Sequence, residues 1–267
     1  MEFELVSPDT YCSCQEIANR ILEQTSIATH RGITKLRAND ALTYLNNRYS
    51  PQIVFYYAKP EDDYDDWHVA NNQMNYLANI NAQFDMRNIN IHARELVTVD
   101  EVFARKISGF TFFKYEPPTL YLNLSTNNFE RIVFTALHEY SHMYQSERDP
   151  DYARVAALIN TSKLLNMSYP EEYQPLETEA NIVASLLMVP DASLNADIRL
   201  RNFTELRNKY LISAQALHNR LINYFYFNCG FDYRMALQAT LGFRNHDKEV
   251  IKQVRTHLRN SRELINC

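Results

Sequence analysis

His138 and His142 stand four residues apart in Phe134-Thr135-Ala136-Leu137-His138-Glu139-Tyr140-Ser141-His142-Met143-Tyr144. On a helix such residues project from one face about a turn apart, so the two imidazoles can share one metal ion. Glu139 is rotated off that face. It would lie beside the metal rather than on it, where a carboxylate can take a proton from metal-bound water. The His-Glu-x-x-His spacing therefore points to metal-assisted hydrolysis.

A catalytic zinc takes three protein ligands and keeps a fourth position open. The third ligand is expected from another element facing this helix. The best source is residues 175–188, in which Leu176, Ala180, Val183, Ala184 and Leu187 make a buried stripe. Glu177 lies at the edge of that stripe, with Asn181 four residues further on the same side. Glu179 falls on a different face and reads as solvated or as a neighbour of the ligands. A lone carboxylate against a core is costly, which a metal partner would offset, so Glu177 is preferred over Glu179. His30, His68, His92, His218, His246 and His257 have no partner at ligand spacing and read as surface or structural. A tyrosine could stabilise the oxyanion of a tetrahedral intermediate, with Tyr140, Tyr144, Tyr169 and Tyr173 all open candidates. Cys12 and Cys14 resemble half a metal site, but no second pair completes it, and the four cysteines read as reduced thiols.

These residues need elements to hold them. The His-Glu-x-x-His helix is expected over 127–146, with Asn127 as N-cap, Glu130 completing a capping box, and Phe129, Ile132, Val133, Ala136 and Leu137 as its apolar face. Before it, 107–113 and 119–124 read as a hairpin broken by Glu116-Pro117-Pro118. Further strands are expected at 52–57 and 88–92, an acidic loop at 59–66, and a helix over 11–24. After the hairpin the pattern turns helical, with helices expected over 152–166, 175–188, 191–200, 203–211, 213–226 and 246–263. The fold class is α+β: a small antiparallel sheet packed on a mainly helical core, with a helical C-terminal part. The chain divides on this reading into a mixed N-terminal extension (1–98), a catalytic core (99–200) and a helical region (201–267) that includes a helix-turn-helix-like segment, 203–226.

Composition removes several classes of function. The 267 residues contain only 4 glycines, too few in any cluster for a glycine-rich phosphate loop. The net charge of −5 shows no basic stripe of the size expected for direct nucleic-acid binding. Met1-Glu2-Phe3-Glu4-Leu5 does not resemble a secretory signal, and no apolar run approaches the roughly 18 residues of a membrane span, so a cytoplasmic location is expected.

Four motifs in order carry a resemblance to a known family: the strand ending Leu120-Tyr121-Leu122-Asn123, the His138-Glu139-Tyr140-Ser141-His142 helix, Glu177-Thr178-Glu179-Ala180-Asn181 running on to Leu186-Leu187-Met188-Val189-Pro190, and Ser213-Ala214-Gln215-Ala216-Leu217-His218-Asn219-Arg220-Leu221. Together they resemble the ImmA/IrrE metallopeptidases over about residues 107–222. The resemblance implies a thermolysin-like (gluzincin) zinc site with His138, His142 and Glu177 as ligands and Glu139 as general base. It also implies a cytoplasmic protein whose partner is a protein substrate, in the better-known members a helix-turn-helix repressor of a mobile element, prophage or stress regulon. Ser141 stands where the family usually has Gly, Val183 where it has Phe, and Val189 is an extra residue. Two other readings compete: a zinc-binding anti-repressor or sensor without catalysis, and a DNA-binding regulator acting through 203–226, whose second helix carries only Arg220 as a full positive charge.

Overall fold

A computed structural model describes residues 5–58, 66–113, 116–125, 128–149, 151–152 and 174–260. The acidic loop expected at 59–66 lies almost wholly outside these residues, as do Asn127, nearly all of the helix expected at 152–166, Tyr169, Tyr173 and Cys267. The chain forms two compact units, one of residues 39–180 and one of residues 1–38 with 181–267.

The 39–180 unit is built on helices α2 (Ala38–Tyr49), α3 (Asp66–Met86), α4 (Glu101–Lys106) and α5 (Phe129–Arg148), with the first part of α6 (Gln174–Met188). Its four strands are β1 (Gln52–Ala58), β2 (Glu95–Val99), β3 (Gly109–Phe112) and β4 (Thr119–Asn123), in the order β2-β1-β4-β3. The expected antiparallel sheet is corrected to a mixed one. Only β3 and β4 pair antiparallel, with Gly109 opposite Leu122, whereas β1 runs parallel to both β2 and β4. The reason is the 21-residue helix α3 between β1 and β2, which returns the chain to start β2 in the direction of β1. The strand expected at 88–92 is absent. Ile89 and Ile91 are buried with the alternation of a strand, but Ile91 N–H bonds the Ile89 carbonyl and Asn81 satisfies both backbone groups of Ala93. β2 follows immediately afterwards.

Strand alternation gives the sheet two different faces. Ile53, Phe55, Leu120 and Leu122 are buried on one, where Phe55 meets Phe84 of α3 and Phe84 meets Phe129 of α5. Tyr56, Phe110 and Tyr121 face the other way, towards Phe103 of α4. Asn123 ends β4 by donating its side-chain amide to the carbonyls of Ala104 and Ile107, which ties the end of α4 to the start of β3. Gly109 opens β3 against α5: a Cβ there would overlap the Thr135 side chain and lie 2.8 Å from the Tyr121 carbonyl oxygen. The edge strand can therefore press onto the helix only with glycine at this position.

Helix α5 is capped by Asn128, which accepts from Arg131 N–H at 3.1 Å. This shifts the expected start by one residue and leaves Glu130 in the second helical position, so it cannot close a capping box. Nearly every residue from Ile132 to Gln145 is buried, so the helix runs through the core instead of along its surface.

The other unit is helical: α1 (Pro8–Thr29), a short turn at Ile33–Lys35, the second part of α6, α7 (Asp191–Ile198), α8 (Phe203–Tyr210), α9 (Ala214–Asn223) with a π-helical turn Tyr224–Asn228, α10 (Tyr233–Arg244) and α11 (Lys248–Asn260). Leu211 leaves α8 in a left-handed conformation and Ser213 caps α9. Helix α10 has no counterpart in the sequence expectations, nor have α2, α3 and α4 of the 39–180 unit. Arg220 is 1% exposed and is paired with Asp191, which also accepts from Gln15; its Nε donates to the Val189 carbonyl. The extra residue in the Leu-Leu-Met-Pro run thus supplies an acceptor for a buried cation. Cys14 and Cys229 are not in disulfides, but Cys12 is disulfide-bonded, which corrects the reading of four reduced cysteines. No helix among the described residues is long and apolar enough to cross a membrane.

Candidate metal centre

Helix α5 brings His138 and His142 to one point, and α6 brings Glu177 to the same point. The two Nε2 atoms lie 3.1 Å apart, Glu177 Oε2 lies 3.5 Å from His138 Nε2, and Glu177 Oε1 lies 3.4 Å from His142 Nε2. These three residues are the only cluster of potential metal ligands among the described residues. Tetrahedral zinc bonds of about 2.0–2.2 Å give donor–donor edges of about 3.3–3.6 Å, and the observed separations, which end on a different Glu177 oxygen for each histidine, are within a few tenths of an ångström of that. The residues fit a divalent ion with nitrogen and oxygen ligands.

Both imidazoles are buried, and burial pushes His142 below its usual pKa despite the raising influence of Glu177 and Glu139 nearby. A neutral ring with a free Nε2 lone pair is the form a metal needs. His142 Nδ1 lies 2.7 Å from the hydroxyl of Tyr152, which fixes the ring's orientation; with Nε2 turned to a metal, Nδ1 carries the proton and donates to that oxygen. His138 Nδ1 is buried with no hydrogen-bond partner among the described residues.

Glu139 is 1% exposed and points into the sheet side of α5. Thr111 of β3 donates its hydroxyl to Glu139 Oε2 at 2.9 Å. The other oxygen, Oε1, lies 3.9 Å from His138 Nε2, beside the cluster and outside it. The alternation of β3 explains this contact. Gly109 and Thr111 face α5, whereas Phe110 and Phe112 point to the aromatic face.

The remaining candidates are placed elsewhere. Glu179 is half-buried outside the cluster, and burial raises its carboxyl above the usual range. Tyr140, on the opposite side of α5 from the two histidines, donates to Asn46 at 2.8 Å, and the Tyr144 ring lies under the guanidinium groups of Arg48 and Arg148. His92 pairs with Asp85, and the ring of His257 stacks edge-on against Phe231. Ser141 satisfies its buried hydroxyl on the Leu137 carbonyl, so the departure from Gly costs no hydrogen bond. Thr111 and Tyr152 were not foreseen. The period-two pattern of the hairpin could have assigned Thr111 to the helix-facing side, but one tyrosine among 18 carries no signal.

Two histidines of one helix and a glutamate of another converge on one point, with a buried glutamate beside them, which is the arrangement of a candidate metallopeptidase site. Residues 94–222 match the family described as peptidase M78, IrrE N-terminal-like domain. Over these residues the chain is similar to the metallopeptidases of that family. Comparisons with curated proteins and with solved structures find no match.

Proposed function

We propose that the protein is a zinc-dependent endopeptidase with a thermolysin-like centre, in which His138, His142 and Glu177 hold the ion and Glu139 is the general base. The observation that carries this reading is the convergence of the three ligand atoms, all within 4.8 Å of one another. A bound zinc would lower the pKa of water to about 7 and polarise the scissile carbonyl. The chain's own residues do the rest. Thr111 holds Glu139 Oε2, so Oε1 is the oxygen available to receive the proton of the attacking water and later to deliver it to the leaving amine. Tyr152 keeps the His142 ring from turning its Nε2 away. Burial of both histidines and Glu139 keeps bulk water from competing for these hydrogen bonds.

The family resemblance supports a protein substrate, a helix-turn-helix repressor of a mobile element, prophage or stress regulon, and a cytoplasmic site of action. The test is to incubate the zinc-loaded chain, and a Glu139→Gln variant, with a cell extract and to sequence the new protein N-termini. Cleavage inside a helix-turn-helix repressor by wild type alone supports the proposal. Repressor inactivation that survives Glu139→Gln would identify a binding anti-repressor instead, and no new N-terminus at all would refute hydrolysis.

A further inference from the structure

The chain's charge of −5 conceals an asymmetry. Residues 199–260 hold eleven Lys and Arg against four Asp and Glu, a net of +7, which leaves −12 on the rest of the chain. Arg220 is already spent on Asp191, but most of the others reach the surface. Helix α11 concentrates four of them: Lys248, Lys252, Arg255 and Arg259, spaced i, i+4, i+7 and i+11. At 3.6 residues per turn these lie within about 60° of one another, in a line about 16 Å long. Lys248, Lys252 and Arg259 are exposed and make no ion pair among the described residues. The stripe is firmly backed. Val254 and Leu258 are buried beneath it, and Gly242 of α10 lets Val250 approach where any Cβ would overlap it.

Arg255 joins a second basic segment to this line. Its Nε donates to the Ile198 carbonyl at 3.2 Å and its terminal nitrogen to the Arg201 carbonyl at 2.9 Å, which brings the turn carrying Arg199 and Arg201 to the middle of the stripe. The carboxylate in that neighbourhood, Asp197, is shared between Lys209 and Arg201, so it neutralises less than the cations around it.

We propose that the face formed by α11 and the 199–201 turn binds the phosphate backbone of a nucleic-acid duplex. Protein partners favour aromatic and apolar centres and are poor in lysine, whereas this line is half lysine and has no aromatic residue. An anionic bilayer would need an exposed apolar face on the helix, but the apolar residues Val254 and Leu258 are buried. Single strands are held by stacking on aromatic rings, which the stripe lacks. A row of cations with no base-reading side chain in line suits a continuous polyanion and no particular sequence. Helix α9 makes no contribution, because its one cation, Arg220, is buried. The metal site plays no part in the argument, so the two proposals stand or fall separately.

The test is fluorescence anisotropy of a labelled mixed-sequence DNA duplex titrated with the full chain. Three untethered cations predict that affinity falls about 40-fold between 50 and 200 mM NaCl, from a slope near −0.9 per phosphate contact. Replacing Lys252 alone by Gln should lower the slope by about one, and Lys248→Gln, Lys252→Gln and Arg259→Gln together should weaken binding at 50 mM NaCl more than about tenfold. Melting temperature and zinc content should not change. The proposal is overturned if wild type fails to bind duplex at 50 mM NaCl, if the triple variant binds as wild type does, or if a single strand or phosphatidylserine vesicles are bound in preference to duplex.

Discussion

Tyr152→Phe removes one oxygen and tests whether the partner of His142 matters to the metal. The hydroxyl lies 2.7 Å from His142 Nδ1, and both residues are buried, so water cannot readily replace it. A buried polar group left without its partner costs about 1–3 kcal/mol. Loss of the group that orients a ligating imidazole typically lowers metal affinity by about 10–100-fold, which is about 1.4–2.8 kcal/mol. Zinc should therefore bind Tyr152→Phe about 10–100-fold more weakly. The assay is competition with a fluorescent zinc indicator at pH 7.5. Tyr140→Phe is the control, because it deletes an equally buried hydroxyl that bonds Asn46 on the far side of α5. Its zinc affinity should stay within about twofold of wild type, as expected for an uncoupled site. If Tyr152→Phe also stays within that range, or if both variants lose affinity equally, the hydrogen bond is not what holds the ligand.

Further outcomes follow from the same geometry. Thr111→Val should leave zinc stoichiometry unchanged and lower kcat on the cleaved protein by about 10–100-fold, since it removes a buried bond to a carboxylate worth about 1.5–3 kcal/mol. A large fall in bound zinc would instead place Thr111 among the groups that shape the ligand set. Asp191→Ala strands the 1%-exposed Arg220 without its carboxylate and should cost about 3–5 kcal/mol in urea unfolding, whereas a loss below about 1 kcal/mol would contradict the buried pair. His142 and His218 both have pKa values lowered from 6.5 by burial, so below that pH the unfolded chain binds more protons than the folded one. The metal-free protein should therefore melt progressively lower as pH falls from about 7 towards 5, and less steeply in His218→Gln; a melting temperature flat across that window contradicts the shifts.

The site was more legible than the frame around it. His138, Glu139 and His142 are tied by a local spacing, and Glu177 by its place beside an apolar stripe, so a helical period is enough to propose that they meet. Sheet order depends on which segments cross over. The helix α3 that makes β1 parallel to β2 carries many Asn and Gln between its apolar residues, and without that crossover the hairpin suggests an antiparallel sheet. Residues 88–92 misled for a related reason. Alternating burial of Ile89 and Ile91 is a property of any extended segment over a core, and only the backbone partners decide whether it becomes a strand. Thr111 and Tyr152 are residue types with many unremarkable uses, and their roles depend on approach from other elements. The net charge hid the stripe on α11 because acidic residues elsewhere outweigh it.

The proposed hydrolysis requires His138, His142 and Glu177 to act as one metal site. Elemental analysis of metal per chain, on wild type, Glu177→Ala and Glu179→Ala purified side by side, tests that most directly. The prediction is about one zinc in wild type and in Glu179→Ala and much less in Glu177→Ala, as expected when one of three ligands is lost. Metal retained in Glu177→Ala and lost in Glu179→Ala, or no metal in wild type after zinc is supplied, would contradict it.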